Sequence, residues 1–389
     1  MTSSTTSTSV AGNSALPTGS TVTAQSAQTA VFRVNTETAG QQTLAEVGAL
    51  QDGGYAVAWV SRTNAGTTSV HLQRFDASSQ RAGADVAVAV TNDETDATVS
   101  VLPDGGMAIA SLQTGAASAA EPWITRTAVM LRRYDASGAQ LGAALQVAVI
   151  DQDRTAAGAM HYVAAPKLVH WDDGSFLLAW SQVQDDANGK VPQFWARRFD
   201  VAGQPVGVNL PIGSGIAGSD LQLVAAAKGG FDIATTVSTV AGPFLMYRGF
   251  DGAFSPVLPA DALGAAEGSR LLPLHGGAMV LLSPVKNVVA MQMYDARGGA
   301  QGAGMALSAM PVGMTALPDG GFVLVTAGDV GTLHAQHYDA AGNPLGTAQP
   351  IVGSANATQG VALGNGSVAL AWTANNGGDQ DVMATRITP

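Results

Sequence analysis

The sequence predicts an all-β protein of repeated four-stranded units, a β-propeller, and three observations carry that reading. First, Leu50-Gln51-Asp52-Gly53-Gly54-Tyr55 returns as Leu102-Pro103-Asp104-Gly105-Gly106-Met107, Trp171-Asp172-Asp173-Gly174-Ser175-Phe176 and Leu317-Pro318-Asp319-Gly320-Gly321-Phe322. Weaker copies are Lys228-Gly229-Gly230, His275-Gly276-Gly277 and Asn365-Gly366-Ser367. The first glycines fall at 53, 105, 174, 229, 276, 320 and 366, intervals that suit one small β-sheet unit per copy. Second, each copy is followed by an aromatic-Asp marker, as in Gln73-Arg74-Phe75-Asp76, Arg132-Arg133-Tyr134-Asp135 and Arg197-Arg198-Phe199-Asp200. Third, the two chain ends are complementary. The seventh unit stops at Ala384-Thr385-Arg386-Ile387-Thr388-Pro389 without a fourth strand, while Ala30-Val31-Phe32-Arg33-Val34-Asn35 stands alone near the start.

Each unit reads as strand, Asp-Gly-Gly hairpin, strand, variable loop, strand ending at Asp, turn, strand. Apolar and polar residues alternate in Tyr55-Ala56-Val57-Ala58-Trp59 and in Ser69-Val70-His71-Leu72-Gln73-Arg74-Phe75, the period of a half-buried strand. The Asp that ends the third strand precedes small turn residues, as in Ala136-Ser137-Gly138. Its carboxylate can bond backbone N–H groups ahead of it. Four antiparallel strands per unit is the propeller-blade pattern. The expectation is a seven-bladed propeller over residues 29–389, its last blade completed by the N-terminal strand, so that no sheet edge is left open at the seam. Residues 1–28 are Ser, Thr, Ala and Gly-rich and carry no charged side chain; they read as a disordered polar lead-in without a secretory signal peptide.

Composition narrows function by exclusion. The net charge of -11, from 29 acidic against 18 basic residues, argues against non-specific nucleic-acid or anionic-membrane binding. No run approaches the roughly 18 apolar residues that cross a bilayer. There are no cysteines, so disulfides, thiolate metal sites and cysteine nucleophiles are excluded.

The series Asp52 to Trp59, Gln73 to Ala77, Asp173 to Trp180, Arg197 to Asp200 and His337 to Gly342 resembles repeats of large secreted, RTX-associated bacterial surface proteins. The likeness spans nearly all of residues 30–389 and lies in structural motifs. It implies an extracellular or cell-surface location, reached by type I secretion; a cytoplasmic chain is the alternative. The Gly-Gly-x-Gly-x-Asp nonapeptide array of that group is not present.

Motifs of chemistry are weak. Gly213-Ser214-Gly215-Ile216-Ala217-Gly218 matches a dinucleotide fingerprint, but that motif needs a following helix and the next segment reads as a strand. His334 and His337 lie three apart on a strand and point to opposite faces, which does not chelate one ion. The repeated Asp residues are turn formers, and Trp59, Trp180 and Trp372 share a position that reads as a packing anchor. No nucleophile elbow, His-Glu-x-x-His motif, phosphate loop or full EF-hand loop occurs.

Variation is concentrated in the other connections. The longest, Thr114 to Thr127, Val149 to Pro166 and Val183 to Pro192, open with Asn92-Asp93-Glu94-Thr95-Asp96 at one end of the second and third units. Binding usually resides on such loops. Trp123, Asp151, Asp153, His161, Asp185 and Asp186 are the candidate ligand-binding residues. Asp93, Glu94, Asp96, Asp151 and Asp153 are candidate ligands of calcium, which accepts six to eight oxygens in flexible geometry. The plainer reading is solvated loops that keep an acidic protein soluble. The functional expectation is a non-enzymatic module recognising a glycan or protein, with self-association open. A structural unit of an extracellular matrix or surface layer is one alternative, and a propeller-fold lyase or hydrolase is the other.

Overall fold

The computed structural model describes residues 30–388 apart from 90–93, 117–123, 154–162, 187–188, 216–220, 227–228, 240–241, 258–260, 263–267, 276, 330, 354, 356 and 377. The architecture is all-β, in four-stranded antiparallel sheets that follow the sequence repeat. Unit 1 holds β2 (Gln41–Ala49), β3 (Tyr55–Arg62), β4 (Thr68–Phe75) and β5 (Val86–Ala89). Unit 2 holds β6 (Glu94–Val101), β7 (Met107–Ala116), β8 (Ile124–Tyr134) and β9 (Leu145–Asp153). Unit 3 holds β10 (Val163–His170), β11 (Phe176–Asp186), β12 (Gly189–Phe199) and β13 (Pro205–Ser214). Unit 4 comprises β14 (Gln222–Ala225), β15 (Phe231–Thr239), β16 (Gly242–Phe250) and β17 (Asp261–Ala262). Unit 5 comprises β18 (Arg270–Pro273), β19 (Met279–Val285), β20 (Val288–Tyr294) and β21 (Ala300–Leu307). Unit 6 comprises β22 (Gly313–Ala316), β23 (Phe322–Ala327), β24 (Thr332–Tyr338) and β25 (Pro344–Val352). The last unit has β26 (Thr358–Ala362), β27 (Val368–Asn376) and β28 (Asp379–Ile387), and β28 pairs with the N-terminal β1 (Phe32–Arg33).

That last pairing sets Phe32 opposite Ala384 and Arg33 opposite Met383. It is buttressed by Asn35, which is buried. Asn35 donates to Asp381 Oδ1 at 2.7 Å, and its own amide oxygen accepts from the Val382 N–H at 2.8 Å. A single parallel pair, Gln41 with Gln380, links β28 to β2, so units 7 and 1 form one eight-stranded sheet.

The hairpins form for the reason the sequence suggests. In each Asp-Gly-Gly copy the glycine takes a left-handed conformation, as at Gly53 (φ 82) and Gly320 (φ 89), which a side chain would strain. The preceding carboxylate accepts the N–H two residues on, at 3.0 Å for Asp52 to Gly54 and 2.9 Å for Asp319 to Gly321. The second turn repeats the device. Asp339 Oδ1 accepts from Ala341 and Asn343 N–H groups at 2.9 and 2.8 Å, and Asp76, Asp200, Asp251 and Asp295 accept equivalent pairs. The Asn343 side chain first, then those N–H groups, holds the Asp339 carboxyl below its ordinary range. These aspartates are therefore committed to turns.

The core lies within and between the sheets. Aromatic pairs stack where the second and third strands meet: Tyr55 on Phe75, Phe176 on Phe199, Phe231 on Phe250 and Phe322 on Tyr338. Trp59, Trp180 and Trp372 are fully buried, as their shared position predicts. The first strands of successive units lie against one another: β2 on β6, β6 on β10, β10 on β14, β18 on β22, β22 on β26 and β26 on β2. Gln222 spans β14 to β18, donating to Ser269 O at 3.2 Å and accepting from Leu271 N–H at 3.0 Å.

One reading of the connections needs correction. Thr114 to Thr127 and Val183 to Pro192 are in large part paired strand. The β7–β8 ladder continues to Ala116 opposite Thr125, and β11–β12 to Asp186 opposite Gly189. Similarly, β9 runs through Asp153 and β10 begins at Val163. Polar, Gly-containing sequence looks like loop, but an antiparallel ladder that projects beyond the core needs no apolar face to close its own hydrogen bonds.

Candidate functional site

Two regions hold chemistry: the end carrying the tall hairpins of units 2 and 3, and the meeting point of the first strands.

At the hairpin end, strand direction places the start of β6, the ends of β7 and β9, and the tip of β11–β12 together. Asp151 lies on β9, opposite Arg126 of β8, and is gripped by both Nε (2.8 Å) and a terminal nitrogen (2.7 Å) of that guanidinium. The Arg126 hydrogen bonds hold the Asp151 carboxyl below its usual range. Asp96 is exposed at a positive φ of 52, where β6 shifts register between Thr95 and Thr98. Glu94, Asp153, Asp185 and Asp186 sit on strands, with only their backbone within the described residues, while Asp93, Trp123 and His161 lie outside them. Residues 216–218 of the glycine motif also lie outside. Among the described residues, no group of three His, Cys, Asp or Glu side chains comes together to hold a metal.

The second region was not singled out by the sequence. Seven residues before the left-handed hairpin glycines Gly53, Gly229, Gly277 and Gly366, a polar side chain reaches the next unit. Gln359 donates to Ala45 O at 2.9 Å, and Arg270 donates to Pro311 O at 2.8 Å. Gln222 ties β14 to β18 as described above. The fourth is Glu46, whose Oε2 accepts the Val101 N–H of β6 at 3.1 Å. Glu46 directly follows a register shift in β2 between Leu44 and Glu46, a bulge of the kind that re-aims a side chain.

Glu46 is more than a tie. The Ser100 hydroxyl lies 3.5 Å from its Oε1 and 3.0 Å from His170 Nδ1, and that nitrogen is 4.0 Å from Glu46 Oε1. Three first strands, β2, β6 and β10, thus bring one carboxyl, one hydroxyl and one imidazole to a point. The Ser100 side chain is fully buried, whereas those of His170 and Glu46 are 23% and 20% exposed. Desolvation pushes the Glu46 carboxyl up to about 8, against the opposing pull of Val101 and Ser100. Burial also pushes the His170 imidazolium below its ordinary range, only partly offset by Asp172. Both shifts favour the neutral forms, a protonated Glu46 beside an unprotonated His170. The arrangement is not a nucleophilic triad. Ser100 is inaccessible and lies between the two titratable groups, whereas a base that activates serine must lie between serine and acid.

Elsewhere, Asp232 of β15 is pushed up to about 6 by burial, opposed by its hydrogen bond to Tyr247. Asp232 is partly buried and Tyr247 fully so, inside a core cluster, and the pair serves packing.

No family model and no curated protein sequence matches the chain. Solved structures do. The polysaccharide lyase Uly1 superposes with a TM-score of 0.52 at 10% identity, over 90% of this chain and 90% of that one. A Hadza microbial sialidase, Hz136, gives 0.47 at 9% identity, over 83% of this chain and 73% of that one. Prolyl oligopeptidase B from Galerina marginata gives 0.49 at 12% identity, over 86% of this chain and 46% of that one. Of these three, Uly1 exceeds 0.5, and at 10% identity it shows fold alone: all-β and propeller-like.

Proposed function

We propose that this chain is a seven-bladed propeller, exported or displayed on the bacterial surface, that recognises a glycan at the end bearing the tall hairpins. The observation that carries the reading is asymmetry between units at that end. The β11–β12 ladder runs to eleven opposed pairs from Phe176 to Asp186, whereas β23–β24 has six from Phe322 to Ala327. Regular ladders standing above a rigid scaffold form walls on which a ligand can lie. A glycan is favoured over a protein partner because the fold neighbour Uly1 is a polysaccharide lyase, and because Arg126 and Asp151 present a fixed pair of hydrogen-bonding groups.

Ring closure belongs to the same proposal. Its support is the β1–β28 pairing, and the recurrence between units 7 and 1 of ties used elsewhere: Gln359 to Ala45 O and Arg386 to Ala77 O. Calcium, if it binds the acidic residues here, must take Asp151 from Arg126. A calcium-specific rise in melting temperature, over sodium at equal ionic strength, should then grow in Arg126→Ala.

The test is a glycan array followed by calorimetric titration of each hit. Deleting residues 185–190 at the β11–β12 tip should abolish binding, whereas replacing Lys286 and Asn287 at the β19–β20 tip with Gly-Gly should leave it intact. An array without hits, or binding indifferent to the first change, sinks the proposal.

A further inference from the structure

The Glu46–Ser100–His170 cluster plays no part in recognition at the hairpin end, yet it has features a mere tie does not need. A Gln at position 46 would accept the Val101 N–H as well, as Gln222 accepts the Leu271 N–H at the same register in unit 4. The carboxyl and the imidazole are both partly open, stand side by side, and share a buried hydroxyl.

We propose that this cluster is a catalytic site for β-elimination on a uronate-containing glycan, with His170 as general base, Glu46 as general acid and Ser100 as the proton relay that resets them. It rests on the glycan reading for its substrate class and on the first strands for its chemistry. A glycosidase is ruled out by geometry: such enzymes set two carboxyl groups about 5 to 9 Å apart. Here one carboxyl faces one imidazole. A neutral acid beside a neutral base suits a reaction that removes a proton from one carbon and protonates the oxygen leaving its neighbour. Because acid and base are adjacent, the hydrogen and the leaving oxygen must depart from the same face of the sugar.

The step balances. His170 Nε2 takes the proton on C5, the carbon bearing the uronate carboxylate. The C5–H electron pair becomes the C4=C5 bond, the C4–O bond breaks, and the leaving oxygen takes the Glu46 proton. The site is left with an imidazolium and a carboxylate. Nδ1–H then donates to the Ser100 hydroxyl, which donates to Glu46 Oε1 along the 3.0 and 3.5 Å contacts. Glu46 is again protonated and the imidazole is left as its Nε2–H tautomer, which returns to the Nδ1–H form by proton exchange with water at the partly open ring. No redox partner or cofactor is consumed.

The experiment incubates the full chain with polygalacturonate, alginate, hyaluronan and chondroitin, and follows the ultraviolet absorbance of the unsaturated uronate. The expected result is product from at least one polymer, with a rate that falls on the alkaline side as Glu46 loses its proton near pH 8. Glu46→Gln and His170→Asn should each lower kcat by about 100-fold or more while the melting transition is kept. In Ser100→Ala, kcat should fall at unchanged KM. Its alkaline limb should move up, because the Ser100 hydrogen bond lowers the Glu46 pKa. That displacement separates a relay from a packing role. If a variant fails to fold, the wild-type pH profile still decides. Absence of product from all four polymers, or full activity in Glu46→Gln, overturns the inference. Glycan binding without product leaves the recognition reading standing, and no binding at all removes that reading separately.

Discussion

Units 1 to 3 and units 4 to 6 share a strand order but not a way of holding their neighbours. In the first group the Arg of the aromatic-Asp marker has two tasks. Arg74 bonds Asp52 of its own hairpin at 3.1 Å and lies against Gly105 of unit 2. Arg133 bonds Asp104 and reaches Val201 O of unit 3 at 3.4 Å, although it is only 4% exposed. Arg198 stacks on Trp171 at 4.4 Å and donates to Gly229 O and Gly252 O of unit 4. In units 4, 5 and 6 the same position holds Gly249, Met293 and His337. The His337 Nε2 is buried without a hydrogen-bond partner. A guanidinium with five donors can serve its own hairpin and the next unit at once; methionine can only pack. The seam between units 7 and 1 belongs with the first group, since Arg386 donates to Ala77 O there. Units 4 and 5 are instead tied to their neighbours from their first strands, by Gln222 and Arg270.

The largest effect should come from cutting the seam. Deleting residues 1–35 removes β1 and exposes the edge of β28, an aggregation hazard. Loss of a single cooperative transition, or visible aggregation on heating, is expected, whereas deleting residues 1–24 should change little. Equal melting of both truncations with the full chain would show that unit 7 does not need its added strand.

Next in size is the pH dependence set by Glu46. Its folded pKa of about 8 lies above the ordinary 4.5, so the folded state favours the protonated carboxyl. Stability from this group is full below about 4.5 and declines as pH rises towards 8, at up to about 1.4 kcal/mol per unit of pH. Glu46→Gln should flatten that decline in chemical denaturation between pH 5 and 9, with a gain of about 3 kcal/mol at the alkaline end. A decline identical in both proteins would mean that another group causes it.

Arg133→Ala tests the comparison inside the first group. It removes a buried charge, its hydrogen bonds to Asp104 and Val201, and the stem packed against Gly203. A loss of about 2–3 kcal/mol is expected, more than for an exposed pair such as Arg126 with Asp151, where Arg126→Ala should cost under about 1 kcal/mol. Equal losses would erase the distinction between buried ties and surface pairs.

These differences were unevenly legible in the sequence. The Asp-Gly-Gly turns and the aspartates after each aromatic could be read directly, because local hydrogen bonds decide them and need no tertiary partner. The pairing of β1 with β28 followed from counting strands at the two ends. The tall hairpins were mistaken for loops, since Asp185, Asp186, Asn188 and Gly189 have turn-like composition while their ladder depends only on backbone. Glu46, Ser100 and His170 were missed for a different reason. They are separated by 54 and 70 residues and occupy different register positions, so no spacing rule joins them. One signal was present. A carboxyl at position 46 interrupts the apolar and small-residue run from Leu44 to Leu50, and a polar residue recurs seven before the left-handed hairpin glycine at Gln222, Arg270 and Gln359.

The smallest expected effect is the one that converts a unit of the second group into one of the first. His337 pairs in register with Val323, as Arg74 does with Ala56 and Arg198 with Leu177. Its imidazole lies 3.5 Å from where a Cβ on Gly321 would stand, so it already occupies the space beside the Asp319 hairpin. His337→Arg should therefore place a guanidinium within reach of Asp319 Oδ2, since Oδ1 is held by the Gly321 N–H at 2.9 Å. The substitution also supplies donors where a buried nitrogen now has no partner. The gain is limited, because the Asp319 carboxylate it would meet is exposed to solvent. A stabilisation of about 1 kcal/mol is expected, near the value of one hydrogen bond to a charged group. The double variant His337→Arg with Asp319→Asn should lose most of it. If His337→Arg destabilises the protein, or if the gain survives Asp319→Asn, the polar tie of units 1 to 3 depends on more than the marker residue, and the contrast between the two groups lies in their backbones.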